Sequence, residues 1–276
     1  MLSLSLVRRL LVACIFVASF AGAAYCELPR ELRVVTYNIH HGEGTDAKFD
    51  LPRIAGILKS VEPDIVALQE VDQRTARASG VDQPAELAKL TGMEIVFGRN
   101  IDYEGGGYGT AVLTKLPVKA HASHKLPSFY SGEQRGVQVI ELGEPGGEGL
   151  VFLCTHLEYR PDDRERMASA EMINSLATKY GDQWMILAGD LNAEPDSRVM
   201  HEFAKHWKIA GAETADSDEE SAKALFTYPS DTPAKQIDYI LARPADRWEV
   251  VEVRVLEERV ASDHRPVLAV LRRTDQ

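Results

Sequence analysis

Cysteine is scarce: Cys14, Cys26 and Cys154 are the three in a chain of 276 residues. That leaves no material for a disulfide framework, so the fold rests on buried apolar surface. An apolar content of 45% is enough for one large domain with a substantial core. Positive charge is also in deficit, with a formal net charge of -11. Such a surface repels polyanions unless a local basic patch offsets it, which disfavours broad nucleic-acid binding. Low-complexity blocks, short-period repeats and internal linkers are missing as well, so nothing in the composition divides the chain.

The first residues read as an export signal. Arg8 and Arg9 precede the apolar run Leu10–Phe20, which is short for a membrane span, and the small residues Ala21, Gly22, Ala23 and Ala24 follow. We expect a signal peptide over 1–24, a folded domain over 28–273, and a secreted or periplasmic location. Membrane anchoring by the uncleaved segment is the alternative. Lipidation at Cys26 is disfavoured by the bulky Tyr25 before it. Cleavage would remove Cys14 with the leader, and Cys154, inside an apolar strand run, reads as a buried small side chain.

Short apolar runs mark strands: Leu32–Tyr37, Ile65–Leu68, Ile95–Phe97, Tyr108–Thr114, Val118–Ser123, Val137–Leu142, Val151–Thr155, Met185–Ala188, Ile237–Leu241, Trp248–Leu256 and Val267–Leu271. Helical spacing with caps or glycine stops predicts helices over Asp50–Val61, Pro84–Leu90, Asp162–Lys179 and Ser197–Trp207. The run Gly105, Gly106, Gly107 predicts a flexible or tight loop, and a phosphate cradle is disfavoured because no helix start or lysine follows at the right spacing. The acidic stretch Glu213–Lys223 reads as a solvated loop. Buried and alternating strands mixed with a few helices argue for an α/β domain with helices outside the sheets.

Polar residues recur where apolar runs stop: Asn38, Glu70, His156, Asp190 with Asn192, Asp238, and Asp263 with His264. Strand ends are where sites assemble in such folds. Asp190 and Asn192, two apart, would lean to one side in extended geometry. A carboxylate can orient or deprotonate a water there, and a carboxamide can steady a phosphoryl oxygen.

The segments TYNIHHG, DIVALQEVD, CTHLEYR, AGDLNAEPDS, QIDYI and SDHRPV, in this order, resemble those of the endonuclease/exonuclease/phosphatase superfamily and span about Leu32 to Leu271. That resemblance implies a four-layer α/β/β/α sandwich, two mixed β-sheets packed face to face with helices outside, as in deoxyribonuclease I. It also implies hydrolysis of a phosphate ester by water with Mg²⁺, Mn²⁺ or a similar divalent ion. Glu70 matches the family's principal metal ligand, a hard oxygen donor, and Asn38 the amide that helps hold metal or phosphate. Asp190 matches the acid that activates the attacking water and Asn192 the amide beside it. His264 matches the histidine on the scissile phosphate and Asp238 the carboxylate that accepts its ring N–H. Asp263 is an additional metal carboxylate in this reading. His156 matches a histidine that contacts phosphate and protonates the leaving oxygen, and Arg135 resembles an arginine that reaches the phosphate. His40 and His41 carry no role over from the family.

The expectation is therefore a monomeric phosphoesterase acting on a small or lipid-derived phosphodiester or phosphomonoester. The alternatives are a secreted nuclease that scavenges nucleic acid and a non-catalytic phosphate-binding protein of the same fold.

Overall fold

The computed structural model describes residues 28–215 and 218–274. The expected leader and Cys26 lie outside the described residues. Twelve strands and six α-helices alternate along the described chain. The first half runs β1 (Glu31–Asn38), α1 (Leu51–Ser60), β2 (Ile65–Gln73), α2 (Gln83–Thr91), β3 (Glu94–Tyr103), β4 (Gly106–Thr114), β5 (Val118–Lys125) and β6 (Gly136–Leu142). The second runs β7 (Leu150–His156), α3 (Arg164–Thr178), β8 (Trp184–Asp190), α4 (Arg198–Ala204), β9 (Lys208–Ile209), α5 (Ala212–Ala215), α6 (Glu219–Lys223), β10 (Asp238–Arg243), β11 (Trp248–Val255) and β12 (Val267–Arg273).

Two six-stranded sheets result, in the orders β11-β12-β1-β2-β4-β3 and β5-β6-β7-β8-β10-β9. Each has one parallel pair at its centre, β1 with β2 and β7 with β8, among antiparallel neighbours. Period-two alternation sorts the side chains into layers. Val34, Ile65, Ala67, Phe152, Cys154, Ile186 and Ala188 meet between the sheets. Val35, Tyr37, Val66 and Leu68 face α1 and α2 on one outer side. Val151, Leu153, Met185 and Leu187 face α3 and α4 on the other. This is the α/β/β/α sandwich expected, with a core in each of its three interlayer spaces. Burying each large apolar side chain contributes about 1.5–3 kcal/mol. Among the described residues no helix is long and apolar enough to cross a membrane.

Local signals explain the helix ends. Asp50 and Asp82 accept from the backbone N–H of Arg53 and Ala85, with proline in the first turn of both α1 and α2. Gly92, in the left-handed conformation, ends α2.

Two expectations are corrected. Of the three consecutive glycines, Gly105 alone belongs to the turn, where it follows Glu104, both at positive φ as a two-residue hairpin requires. Gly106 and Gly107 lie inside β4, where an added Cβ would meet the Gln73 carbonyl oxygen at 2.3 Å and the Arg99 side chain at 2.2 Å. The acidic stretch after Gly211 is not all loop: it forms the short helices α5 and α6, the latter capped by Asp218 accepting from Ser221. Capping and an i,i+4 Glu219–Lys223 pair outweigh the lack of an apolar face there.

Gly189 sits in β8 where a Cβ would lie 2.1 Å from the Thr155 carbonyl oxygen of β7. Backbone cannot yield as a flexible side chain would. Gly189→Ala is therefore expected to destabilise the protein by about 2–4 kcal/mol, read as a lower urea midpoint with an unchanged m-value.

Candidate active site

The strand registers bring the predicted residues together. In one sheet His156, Asp190 and Asp238 are side-by-side partners at the ends of β7, β8 and β10. In the other, Asn38 at the end of β1 pairs with Gln69 of β2. By parity Asn38 shares the inward face with Val34, His156 with Cys154, Asp190 with Ala188, and Asp238 with Ile240. All four side chains thus point into the space between the sheets at its open end.

Strand parity alone would turn Glu70 outward. A β-bulge between Leu68 and Val71, with Glu70 at φ 57°, re-aims it inward. Its Oε1 accepts from Asn38 Nδ2 at 3.0 Å, and the same amide nitrogen donates to Asp190 Oδ2 at 3.2 Å. Asn38 Oδ1 accepts the His40 backbone N–H at 3.1 Å. As oriented, Asn38 ties the two carboxylates together through its amide nitrogen.

Around these groups lies a cavity of about 610 Å³ lined by Glu70, Arg135, His156, Asp190, Asn192, Asp263 and His264, among others. His264 comes from the loop before β12. Ser262 anchors that loop by donating to the Asn38 carbonyl at 2.7 Å while accepting from the His264 N–H at 3.2 Å. His264 Nδ1 donates to Asp238 Oδ2 at 2.9 Å, and its Nε2 is 3.7 Å from Asp190 Oδ2. Burial opposes its charge, but Asp238, which also accepts its N–H, and Asp190 push its pKa up to about 10. His264 is an imidazolium at neutral pH.

His156 is the opposite case. Its Nδ1 lies 3.0 Å from Arg135 Nη1, and because a guanidinium only donates, that ring nitrogen must accept. The proton then sits on Nε2, 3.4 Å from Asp190 Oδ2. Burial, followed by the Arg135 and His264 charges, holds its pKa well below the usual histidine range. His156 is a neutral hydrogen-bond donor. Arg135 is less free than its motif implied, since Nη1 also donates to Glu133 at 2.7 Å.

Asp190 is pushed up to about 7, first by burial and then by the Asp238 charge, against the pull of His264 and of hydrogen bonds from the Asn192 N–H and Asn38. The extended Asp190–Asn192 geometry expected from spacing does not occur. Asn192 has φ 46°, its backbone N–H donates to Asp190 Oδ1 at 2.9 Å, and its Nδ2 donates to the Leu157 carbonyl at 3.0 Å. The turn closes on the carboxylate itself, which fixes the Asp190 rotamer.

Among the described residues, two groups of potential metal-ligating side chains have ligand atoms within 4.8 Å of one another: Asp190, Asp238 and His264, and separately His40, His41 and Glu70. Asp238 Oδ1 is buried without a hydrogen-bond partner, so an acceptor remains unmet beside the first group. Asp263 lines the cavity but belongs to neither group.

Several cavity residues had no role in the sequence reading. Glu133, two residues before Arg135, is pushed up to about 7 by burial despite the Arg135 charge. Tyr159 stands inside CTHLEYR, and Tyr228 packs its ring 4.9 Å from that of His264. Their motifs were legible, but nothing in the spacing marked these positions as convergent.

Comparison with known proteins agrees with the geometry. Over 248 residues the chain is 27% identical to the uncharacterized protein YbhP of Escherichia coli K12, covering 86% of this chain and 94% of that one. A 5'-tyrosyl-DNA phosphodiesterase of Caenorhabditis elegans is 25% identical over 190 residues, 66% of this chain and 49% of its own length. The crystal structure of an endonuclease/exonuclease/phosphatase from Beutenbergia cavernae superposes with a TM-score of 0.71 at 26% identity, covering 89% of this chain and 72% of that one. The profile of the Endonuclease/Exonuclease/phosphatase family matches residues 35–264, from β1 through His264. Every strand-end residue discussed above, from Asn38 to His264, lies inside that match, and the chain belongs to this family.

Proposed function

We propose that the protein is a divalent-metal-dependent phosphoesterase that hydrolyses a phosphodiester or phosphomonoester by in-line attack of water. The observation that carries this reading is the convergence of Glu70, Asp190, His156 and His264 on one cavity. The donor set fits a hard cation. Glu70, Glu133, Asp163, Asp190, Glu194 and Asp263 all line the cavity, and a phosphate ester would be repelled by so many carboxylates without a cation between them. Glu70 and Asp263 would hold it, with Asn38 orienting Glu70. When bound, it would supply charge neutralisation on the phosphate.

The chain's own groups divide the remaining work. Asp190, basic near neutrality and locked by the Asn192 N–H, accepts the proton of the attacking water. His264, charged and held by Asp238, offers Nε2–H to a phosphoryl oxygen. His156 offers a neutral Nε2–H to a second oxygen, and Arg135 holds its ring in that tautomer. A depressed pKa makes His156 a better donor than proton source, so the imidazolium of His264 is the stronger candidate for protonating the leaving oxygen. Tyr159, 66% exposed at the cavity rim, gives an organic leaving group an aromatic face.

The test is hydrolysis of bis(p-nitrophenyl) phosphate and p-nitrophenyl phosphate by the purified protein across a Mg²⁺ and Mn²⁺ titration, with plasmid DNA and sphingomyelin as further substrates. Metal-dependent turnover of at least one of the two aryl phosphates is expected. No turnover with any divalent ion would favour a phosphate-binding protein instead, and degradation of DNA with a steep loss at high salt would favour the nuclease reading.

A further inference from the structure

His40 and His41 stand in TYNIHHG, immediately after β1, and the proposed chemistry leaves both unused. Each adopts a left-handed backbone with φ 44°, a conformation that costs a branched or ring-bearing residue energy and that glycine or asparagine would adopt more readily. Their rings meet edge to face at 4.4 Å. One ring nitrogen from each and a Glu70 carboxylate oxygen lie within 4.8 Å of one another.

The tautomer of His40 is fixed by its surroundings. Its Nδ1 lies 3.1 Å from the Glu43 carbonyl oxygen, which can only accept, so Nδ1 carries the proton and Nε2 presents a lone pair. A ring N–H given to a carbonyl is the usual support of a metal-ligating histidine. His41 has Nδ1 buried and without a partner, and its side chain is 11% exposed.

A clamp holds the three groups in register. Gln83, at the start of α2 and 1% exposed, donates through Nε2 to the His41 carbonyl at 2.5 Å and accepts through Oε1 from the Asp72 N–H at 2.9 Å. One side chain thus ties the histidine loop to the bulged strand that aims Glu70. Gly42 leaves room for it, since a Cβ there would meet Gln83 Nε2 at 3.1 Å.

We infer that His40, His41 and Glu70 form a second cation site, built for a borderline divalent transition ion of the Zn²⁺ or Co²⁺ kind and sharing Glu70 with the main cavity. Two imidazoles and one carboxylate suit such an ion better than Mg²⁺, which prefers oxygen ligands throughout. The shared carboxylate couples the two sites, so occupation of one changes the charge that the other presents.

The probe is Co²⁺, followed by its visible d–d absorption and by calorimetry, in protein held in excess Mg²⁺. Wild type is expected to bind Co²⁺ with bands shifted by nitrogen ligation. The double variant His40→Asn with His41→Asn keeps the left-handed backbone and should bind at least about tenfold more weakly, with those bands lost. It should also lose the rise in melting temperature that Zn²⁺ gives wild type, while its metal-free melting temperature stays level or rises as strain is relieved. The inference is overturned if Mg²⁺ displaces Co²⁺ from wild type completely, or if the double variant binds Co²⁺ with the same stoichiometry, affinity and spectrum. Failure here with intact Mg²⁺-dependent hydrolysis removes the second site only.

Discussion

Asp190→Asn is expected to lower kcat for bis(p-nitrophenyl) phosphate by about 10³-fold while leaving the fold intact. The carboxylate is buried beside Asp238 and pushed up to about 7, so it is basic near neutrality yet not desperately so. Removing a positioned proton acceptor typically costs 10²–10⁴-fold in rate. Asparagine keeps the shape and an oxygen to accept the Asn192 N–H, but it sets an amide nitrogen against Asn38 Nδ2 and His156 Nε2 in place of an acceptor. Thermal and urea unfolding should therefore still show one cooperative transition, with a loss of stability of about 1–3 kcal/mol, which separates loss of chemistry from loss of structure. Turnover within tenfold of wild type would refute the assignment of Asp190 as the base.

Removing divalent ions should be as severe. Dialysis against a chelator is expected to reduce hydrolysis to background, and Mg²⁺ alone should restore it. The reason is the Asn38 bridge, which holds the Glu70 and Asp190 carboxylates on one amide nitrogen in a cavity already rich in acid. A substrate phosphate adds charge of the same sign, which a bound divalent cation would offset together with Arg135 and His264. Glu70→Gln should raise the Mg²⁺ concentration for half-maximal rate by about tenfold or more, with a smaller change in the rate at saturation. Full activity of the chelated protein, or an unchanged Mg²⁺ requirement in Glu70→Gln, would exclude Glu70 as the principal ligand.

The unbroken apolar run before Asp190 announces a strand covered on both faces, and β8 is indeed buried along its whole length. The same holds for the run before His156 in β7. Aspartate caps and early prolines placed α1 and α2 to within a residue or two. These features were legible because each is a local property: side-chain period, capping and φ preference act over a few positions.

Sequence by itself determined that the chain folds as layered sheets and helices, and that its acids, amides and histidines stand where strands end. Tertiary structure alone decided what those groups do to one another. The bulge that turns Glu70 inward, the left-handed Asn192 that locks Asp190, the Arg135 contact that leaves His156 neutral, and the approach of His40 and His41 to Glu70 depend on partners far away in the chain. Strand parity is written in neighbouring residues. A bulge or a tautomer is set by whichever distant backbone or side chain pairing brings alongside, and that energy has no signature in a short window of sequence.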